Sequence, residues 1–212
     1  MPLPIPPLVH VDDALIAADK PADLLSVPGR GPANADCLAA RLQAIYADAL
    51  VVHRLDMATS GLIVFARGAQ MQRALSIAFA ERHVAKGYAA IVDGLLNEEA
   101  GEIDMPLIAD WPNRPRQMVD TVHGKPSRTR WRVLARDPER GRTRVELEPV
   151  TGRSHQLRVH LQATGHPILG DTLYAPPRVA SAAPRLLLHA SRLQLVHPGN
   201  GTPMDLRSAP PF

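Results

Sequence analysis

Short apolar runs bounded by turn residues recur along the chain and read as strands. Residues 14–18 (ALIAA), 61–66 (GLIVFA) and 88–92 (YAAIV) are three of them. Residues 128–133 alternate strictly, with Thr129, Trp131 and Val133 on one face and Arg128, Arg130 and Arg132 on the other. That is the period of a half-buried strand. Thr143, Val145 and Leu147 alternate likewise against Arg142, Arg144, Glu146 and Glu148. Two neighbouring strands are therefore expected to show guanidinium groups on a common solvent face. Helical spacing is found over residues 35–47, where Leu38, Leu42 and Ile45 share a face and Asn34 or Asp36 is available as N-cap. It returns over residues 69–82 with Met71, Leu75, Ala78 and Phe79. Residues 154–163 read as a short helix, with Ser154 as its cap and Thr164-Gly165 as its stop.

Strands outnumber helices and follow no regular β-α-β rhythm, which predicts an α+β protein with a mixed sheet rather than a doubly wound one. Proline is concentrated at the two ends and in loops such as Trp111-Pro112-Asn113-Arg114-Pro115, because it removes a backbone donor. No repeat and no composition break marks a boundary. A single domain over residues 12–206 is expected, with extended tails at 1–11 and 207–212.

The chain has 212 residues, 45% hydrophobic and 21% charged, which excludes a mostly disordered protein. No stretch approaches the roughly 20 apolar residues of a membrane helix. The N-terminus has neither the charged region nor the apolar run of a signal peptide, so a cytosolic protein is expected. The lone Cys37 has no partner for a disulfide and no cluster for zinc, leaving packing as its expected role. The net charge of +3 hides an uneven distribution. Residues 112–158 hold 12 basic residues against 5 acidic ones, a balance of +7, and the remainder holds 12 against 16, or −4. Of the 24 basic residues 21 are arginine, the side chain suited to bidentate phosphate contacts and stacking. A base-composition bias would also enrich arginine, but accounts less well for its clustering.

Two segments are dense in chemistry. Val52-His53-Arg54-Leu55-Asp56-Met57-Ala58-Thr59-Ser60-Gly61-Leu62 sets a carboxylate in a turn immediately before a buried strand, where a rigid scaffold can hold a functional group. Alone, Asp56 is open to three readings: nucleophile, general base, or a turn residue capping backbone donors. The second segment is Thr151-Gly152-Arg153-Ser154-His155-Gln156-Leu157-Arg158-Val159-His160-Leu161. It is no G-x-S-x-G elbow, which argues against Ser154 as a hydrolase nucleophile. His155 and His160 are five apart, off the i,i+4 spacing of paired metal ligands. A capping serine with structural histidines is one reading, and an Arg153 placed to pair with a buried carboxylate is the other. No Walker A or dinucleotide glycine pattern is present, so nothing implies a nucleotide cofactor.

Taken in order, these segments resemble the RluA family of RNA pseudouridine synthases. His53-Arg54-Leu55-Asp56 followed by Thr59-Ser60-Gly61-Leu62 looks like its HRLD-x-x-TSGL signature. Residues 19–30 (DKPADLLSVPGR) resemble its N-terminal Lys-Pro-x-Gly-Leu-Leu segment, with Asp23 in place of the usual glycine. Lys86-Gly87-Tyr88, residues 151–161 together with 165–171 and Tyr174, and Leu186-Leu187-Leu188-His189-Ala190 match three further motifs. The match runs from about residue 12 to 199, and no S4-like domain precedes the core, as in the short RluA branch.

The resemblance implies the pseudouridine synthase fold, a central, largely antiparallel mixed sheet flanked by helices. It implies isomerisation of uridine to pseudouridine with no cofactor and no metal. Asp56 takes the role of catalytic carboxylate, Arg153 of its ion-pair partner, Tyr88 of the ring beside the target base and Leu188 of an aliphatic wall. His53, Arg54 and Thr59 are expected to contact substrate, Arg54 by filling the gap left when the uridine is flipped out. Asp56 can attack the sugar or abstract its proton, and both remain open. Arg128, Arg130 and Arg132 would supply phosphate binding. The expected partners are tRNA and 23S rRNA stem-loops, bound by a monomer away from any membrane. A catalytically silent RNA-binding or rRNA-chaperone protein on the same fold is the alternative, and the joint presence of Asp56, Tyr88 and Arg153 speaks against it.

Overall fold

The computed structural model describes residues 4–212. The chain divides into two compact units, one holding the residues up to Lys86 together with His189–Pro211, the other Gly87–Leu188 with Phe212. A single domain is the expectation from composition; no change in composition marks either crossing between the units.

The first unit opens with β1 (Leu8–Val11), β2 (Leu15–Lys20), α1 (Leu38–Gln43), β3 (Ala49–Val51), β4 (Ser60–Arg67) and α2 (Gly68–Ala80). The tail expected over residues 1–11 therefore becomes a strand at Leu8, and its first three residues lie outside the described residues. Strand β4 is buried along nearly its whole length, as expected of an apolar run with neighbours on both edges. It pairs antiparallel with β2 on one edge and β3 on the other. Helix α2 packs Leu75, Met71, Ala78 and Phe79 onto the core built from Leu15, Ala17, Leu62 and Val64.

Helix α1 is shorter than its predicted span. Cys37, not Asn34 or Asp36, is its N-cap, with Sγ accepting from the Ala40 N–H at 3.4 Å. The helix stops at Gln43, so Ile45 is left exposed rather than on the buried face.

The second unit carries β5 (Ala85–Asp93), β6 (Ala100–Asp104), β7 (Leu107–Ala109), β8 (Gln117–Val119), β9 (Arg128–Asp137), β10 (Arg142–Pro149), α3 (Gln156–Ala163) and α4 (Pro177–Ala180). Its strands run in the order β5-β10-β9-β6, all antiparallel. Thr129, Thr143, Val145 and Leu147 are buried, as their alternation requires. Strands β7 and β8 form a separate hairpin. Leu107 on this hairpin packs with Val159 of α3 and with Tyr174.

The chain then returns to the first unit with β11 (Leu188–Val196) and β12 (Pro203–Arg207). Strand β11 pairs parallel to β4 at Ser60 and Gly61, and antiparallel to β12. Gly61 has φ +110°, and a Cβ there would meet the Ala190 backbone oxygen; only glycine permits this approach. Among the described residues no helix is long and apolar enough to cross a membrane.

Candidate active site

Asp56 lies half-buried in the turn between β3 and β4. The turn closes with the Thr59 N–H donating to the Asp56 carbonyl at 3.1 Å, and Thr59 itself is buried. Two buried side chains pin it from either side. Lys20, at the end of β2, donates from Nζ to the carbonyls of Pro21 (2.8 Å), Leu24 (2.7 Å) and Met57 (2.9 Å). Three carbonyls match the three donors of an ammonium. Ser26 Oγ donates to the Leu55 carbonyl at 2.8 Å and accepts from the Leu55 N–H at 3.1 Å. The Asp23 N–H adds a bond to the Met57 carbonyl at 2.9 Å. Asp23 has φ +64°, which explains why glycine suits this position; aspartate is one of the few other residues that tolerate it.

His53 does not face outward with Arg54. The Val64 N–H donates to its Nε2 at 2.9 Å, so the ring proton is on Nδ1. The imidazole stacks on Phe79 of α2, centroids 4.3 Å apart. Burial, and secondarily the Lys86 charge, push its pKa down to about 3. His53 is thus a neutral brace between β4 and α2, whereas the adjacent Arg54 is exposed.

A partly buried polar chain fixes the other end of the turn. Ser208 Oγ donates to the Asp19 carboxylate at 2.6 Å and so accepts from His189 Nε2 at 3.0 Å. His189 Nδ1 is then the acceptor for the Ser60 hydroxyl at 2.9 Å. Among the described residues no three His, Cys, Asp or Glu side chains gather as metal ligands would.

In the second unit, Tyr88 is half-buried on β5, opposite Leu147 of β10, and Leu188 is buried at the start of β11. Arg153 lies between β10 and α3. Its N–H donates to Gln156 Oε1 at 3.0 Å, and its guanidinium reaches the Pro126 carbonyl at 3.3 Å. Helix α3 begins with His155 in the left-handed conformation at its N-cap, where Ser154 is the expected cap. Gln156 orders the segment instead. Its Oε1 also accepts from Thr151 Oγ1 at 2.7 Å, and its Nε2 donates to the Arg128 carbonyl at 2.9 Å and to Thr129 Oγ1 at 3.0 Å. The Thr129 hydroxyl faces His160 Nδ1 at 2.9 Å, and His160 Nε2 faces the Met105 carbonyl at 2.9 Å. Burial holds His160 below the usual imidazole pKa.

Arg128, Arg130 and Arg132 share a face of β9 as predicted, but not as bare cations. Arg132 pairs with Glu146 at 2.7 Å, Arg130 with Glu102 at 3.2 Å and Glu148 at 3.7 Å, and Arg128 with Glu102 at 3.6 Å. The antiparallel register sets Glu146 opposite Arg132 and Glu148 opposite Arg130. On this face three guanidinium groups meet three carboxylates, of which Glu146 and Glu148 are already counted in the +7 balance and Glu102 lies outside the segment.

These motifs and this sheet define an RNA-modifying isomerase. The chain belongs to the RNA pseudouridylate synthase family, whose model matches residues 14–163. It is 49% identical over 205 residues to the dual-specificity RNA pseudouridine synthase RluA of Yersinia pestis, covering 97% of this chain and 99% of that protein. It is 47% identical over 205 residues to the protein of the same name in Escherichia coli (strain K12), covering 97% and 93%. Among solved structures it is similar to human RNA pseudouridylate synthase domain containing 1, with a TM-score of 0.79, 27% identity and coverage of 97% and 83%. The α+β architecture is therefore the pseudouridine synthase fold, and the activity is that of an RNA pseudouridine synthase.

Reading the sequence for chemistry misses the residues that hold the site. Lys20 and Ser26 both sit within the segment that carries the Lys-Pro motif, but their role as supports is not legible there. A lysine ending an apolar strand is the available signal, since burial of lysine requires partners. Gln156 and Tyr174 fall within a motif segment, but nothing in the sequence shows that they order the entry to α3 and hold the β7–β8 hairpin.

Proposed function

We propose that this chain isomerises uridine in the tRNA anticodon stem-loop and in a similar loop of 23S rRNA, with Asp56 as the catalytic carboxylate. The words "dual-specificity" in the names of its relatives support two RNA classes. The observation that carries the role of Asp56 is the pinning of its turn by Lys20 and Ser26, since a reacting group works best on a preorganised support. In the reaction the N1–C1′ glycosidic bond breaks, the base turns while trapped, C5 bonds to C1′ and the C5 proton leaves. Asp56 attacks the sugar or takes its proton. The family resemblance gives Arg153 the role of ion-pair partner to the carboxylate, Tyr88 offers a stacking face and a hydroxyl for the departing proton, and Leu188 supplies an aliphatic wall. Arg54, exposed beside Asp56, fills the gap left by the flipped uridine. The enzyme works as a cytoplasmic monomer without metal or cofactor.

Pseudouridine mapping in tRNA and 23S rRNA from a strain lacking the protein, complemented with wild type or Asp56→Asn, tests this reading. The expected result is loss of anticodon-loop and rRNA sites, restored by wild type alone. Unchanged anticodon-loop sites would overturn the substrate assignment, and restoration by Asp56→Asn would overturn the assignment of the carboxylate.

A further inference from the structure

The loop joining β7 to β8 carries a feature outside the reaction just described. Trp111 is 63% exposed, although an indole in a monomeric protein is ordinarily covered on most of its surface. The Arg114 guanidinium lies over its ring, 3.4 Å from the centroid. With one face so covered and the exposure still this high, the rest of the indole is open to solvent. Two residues on, the Arg116 guanidinium lies 5.5 Å from the Tyr174 ring centroid. Neither arginine has a carboxylate within ion-pair reach among the described residues, unlike Arg128, Arg130 and Arg132.

The loop is ordered by its own bonds. Asp110 N–H donates to the Arg116 carbonyl at 3.0 Å, Asn113 N–H to the Asp110 carbonyl at 3.1 Å, and Arg116 N–H to the Asn113 carbonyl at 3.0 Å. The Asn113 amide also occupies the Asp110 carboxylate, at 2.9 and 3.0 Å. The hairpin is fixed to the segment bearing Arg153. Gln117 N–H donates to the Tyr174 hydroxyl at 2.8 Å, and that hydroxyl meets His155 Nδ1 at 2.6 Å.

We infer that the β7–β8 tip is an RNA-docking platform on which an unpaired base of the substrate loop stacks against Trp111, while Arg114 and Arg116 meet the adjoining phosphates. An exposed indole backed by a guanidinium has the stacking face that single-stranded bases use, and uncompensated arginines supply the charge. Its attachment through Tyr174 holds the platform at a set place relative to Arg153. The inference rests on the proposed RNA substrate and assigns to it a contact that the reaction does not require.

The test uses Trp131→Phe, which leaves Trp111 as the sole tryptophan. A synthetic anticodon stem-loop and a fully paired RNA duplex of equal length are titrated while indole emission is followed. Quenching by the stem-loop and not by the duplex is expected. Trp111→Ala should raise Kd for the stem-loop about tenfold and raise KM, with kcat at saturating RNA within about twofold of wild type. Trp111→Phe should restore most of the affinity. Unchanged emission at saturation, or a Kd for Trp111→Ala equal to wild type, would overturn the inference. Quenching that persists in a protein inactive on every RNA would overturn the enzymatic reading while upholding the platform. A change in sedimentation of Trp111→Ala without RNA would assign the tip to a protein contact instead and overturn it.

Discussion

The Lys20 ammonium and the Met57 carbonyl oxygen, 2.9 Å apart, tie the end of β2 to the residue that follows Asp56. The same ammonium holds the Pro21 and Leu24 carbonyls, so one buried charge sets the shape of two loops. Lys20→Met keeps most of the stem volume and removes all three bonds. Leaving buried carbonyls without their donor costs about 1–3 kcal/mol each, in part relieved by relaxation. The turn then loses its fixed position, and misplacement of a reacting group by about 1 Å can cost about 100-fold. We expect kcat on stem-loop RNA to fall by about that factor while KM changes little. A kcat within twofold of wild type would show that Lys20 supports the fold alone.

Arg158 and Asp171 form a buried bidentate pair at 2.8 and 2.7 Å, 4% and 1% exposed. Asp171 also accepts the N–H groups of Leu173 and Tyr174. Asp171→Ala leaves the guanidinium buried without this partner, which costs about 3–5 kcal/mol. For a chain of this size that corresponds to a fall in Tm of roughly 10 °C. Because Tyr174 anchors both His155 and the β7–β8 hairpin, RNA affinity should decline as well. Calorimetry showing a change of under about 2 °C would mean that the pair contributes nothing net.

Two histidines held neutral by their surroundings set the response to acid. His53 is held neutral by burial, with a pKa of about 3, and burial likewise depresses His160. In the unfolded chain both titrate near 6.5, so below that pH the unfolded state binds more protons than the native one. Stability is fully present above about pH 6.5 and is lost as pH falls, across a window reaching about 3 for His53. Each group can contribute at most about 1.4 kcal/mol per pH unit. Urea unfolding at pH 7, 6 and 5 should show a progressive fall, and His53→Asn should show a shallower one. A flat profile would contradict the neutral state of both rings.

Much of this arrangement is legible in the order of residues alone. The strand GLIVFA, the alternation about Val145 and the helix bearing Leu75 all follow from a single burial pattern each, and each forms where its period places it. Helix ends are less legible, because Cys37 and His155 cap through a weak acceptor and a left-handed backbone that composition does not announce. Within the site, the motif residues can be numbered from sequence, but their supports cannot. His53 is adjacent to Arg54 in sequence, yet its contact with Val64, eleven residues on, decides that it braces the sheet. The basic balance of residues 112–158 also misleads, because a count along the chain does not show that Glu146 and Glu148, with Glu102 from outside the segment, lie against the three arginines of one strand face.

Those glutamates make the phosphate-binding role of β9 testable in both directions. Glu102, Glu146 and Glu148 lie between Arg128, Arg130 and Arg132 on an exposed face. Exposed pairs of this kind contribute about 0–1 kcal/mol each, so breaking them leaves the fold intact. If the arginines exchange glutamate for phosphate when RNA binds, the carboxylates compete with the substrate. Replacing all three by glutamine should then tighten RNA binding at low salt. It should also steepen the dependence of log Kd on log salt by up to about 0.7–0.9 per phosphate gained. Replacing the three arginines by alanine should do the reverse, weakening binding across sequences and flattening the slope. Filter binding of the anticodon stem-loop from low to physiological salt measures both. Identical affinities and slopes in the two triple variants would remove β9 from the RNA path and leave the β7–β8 tip to carry it.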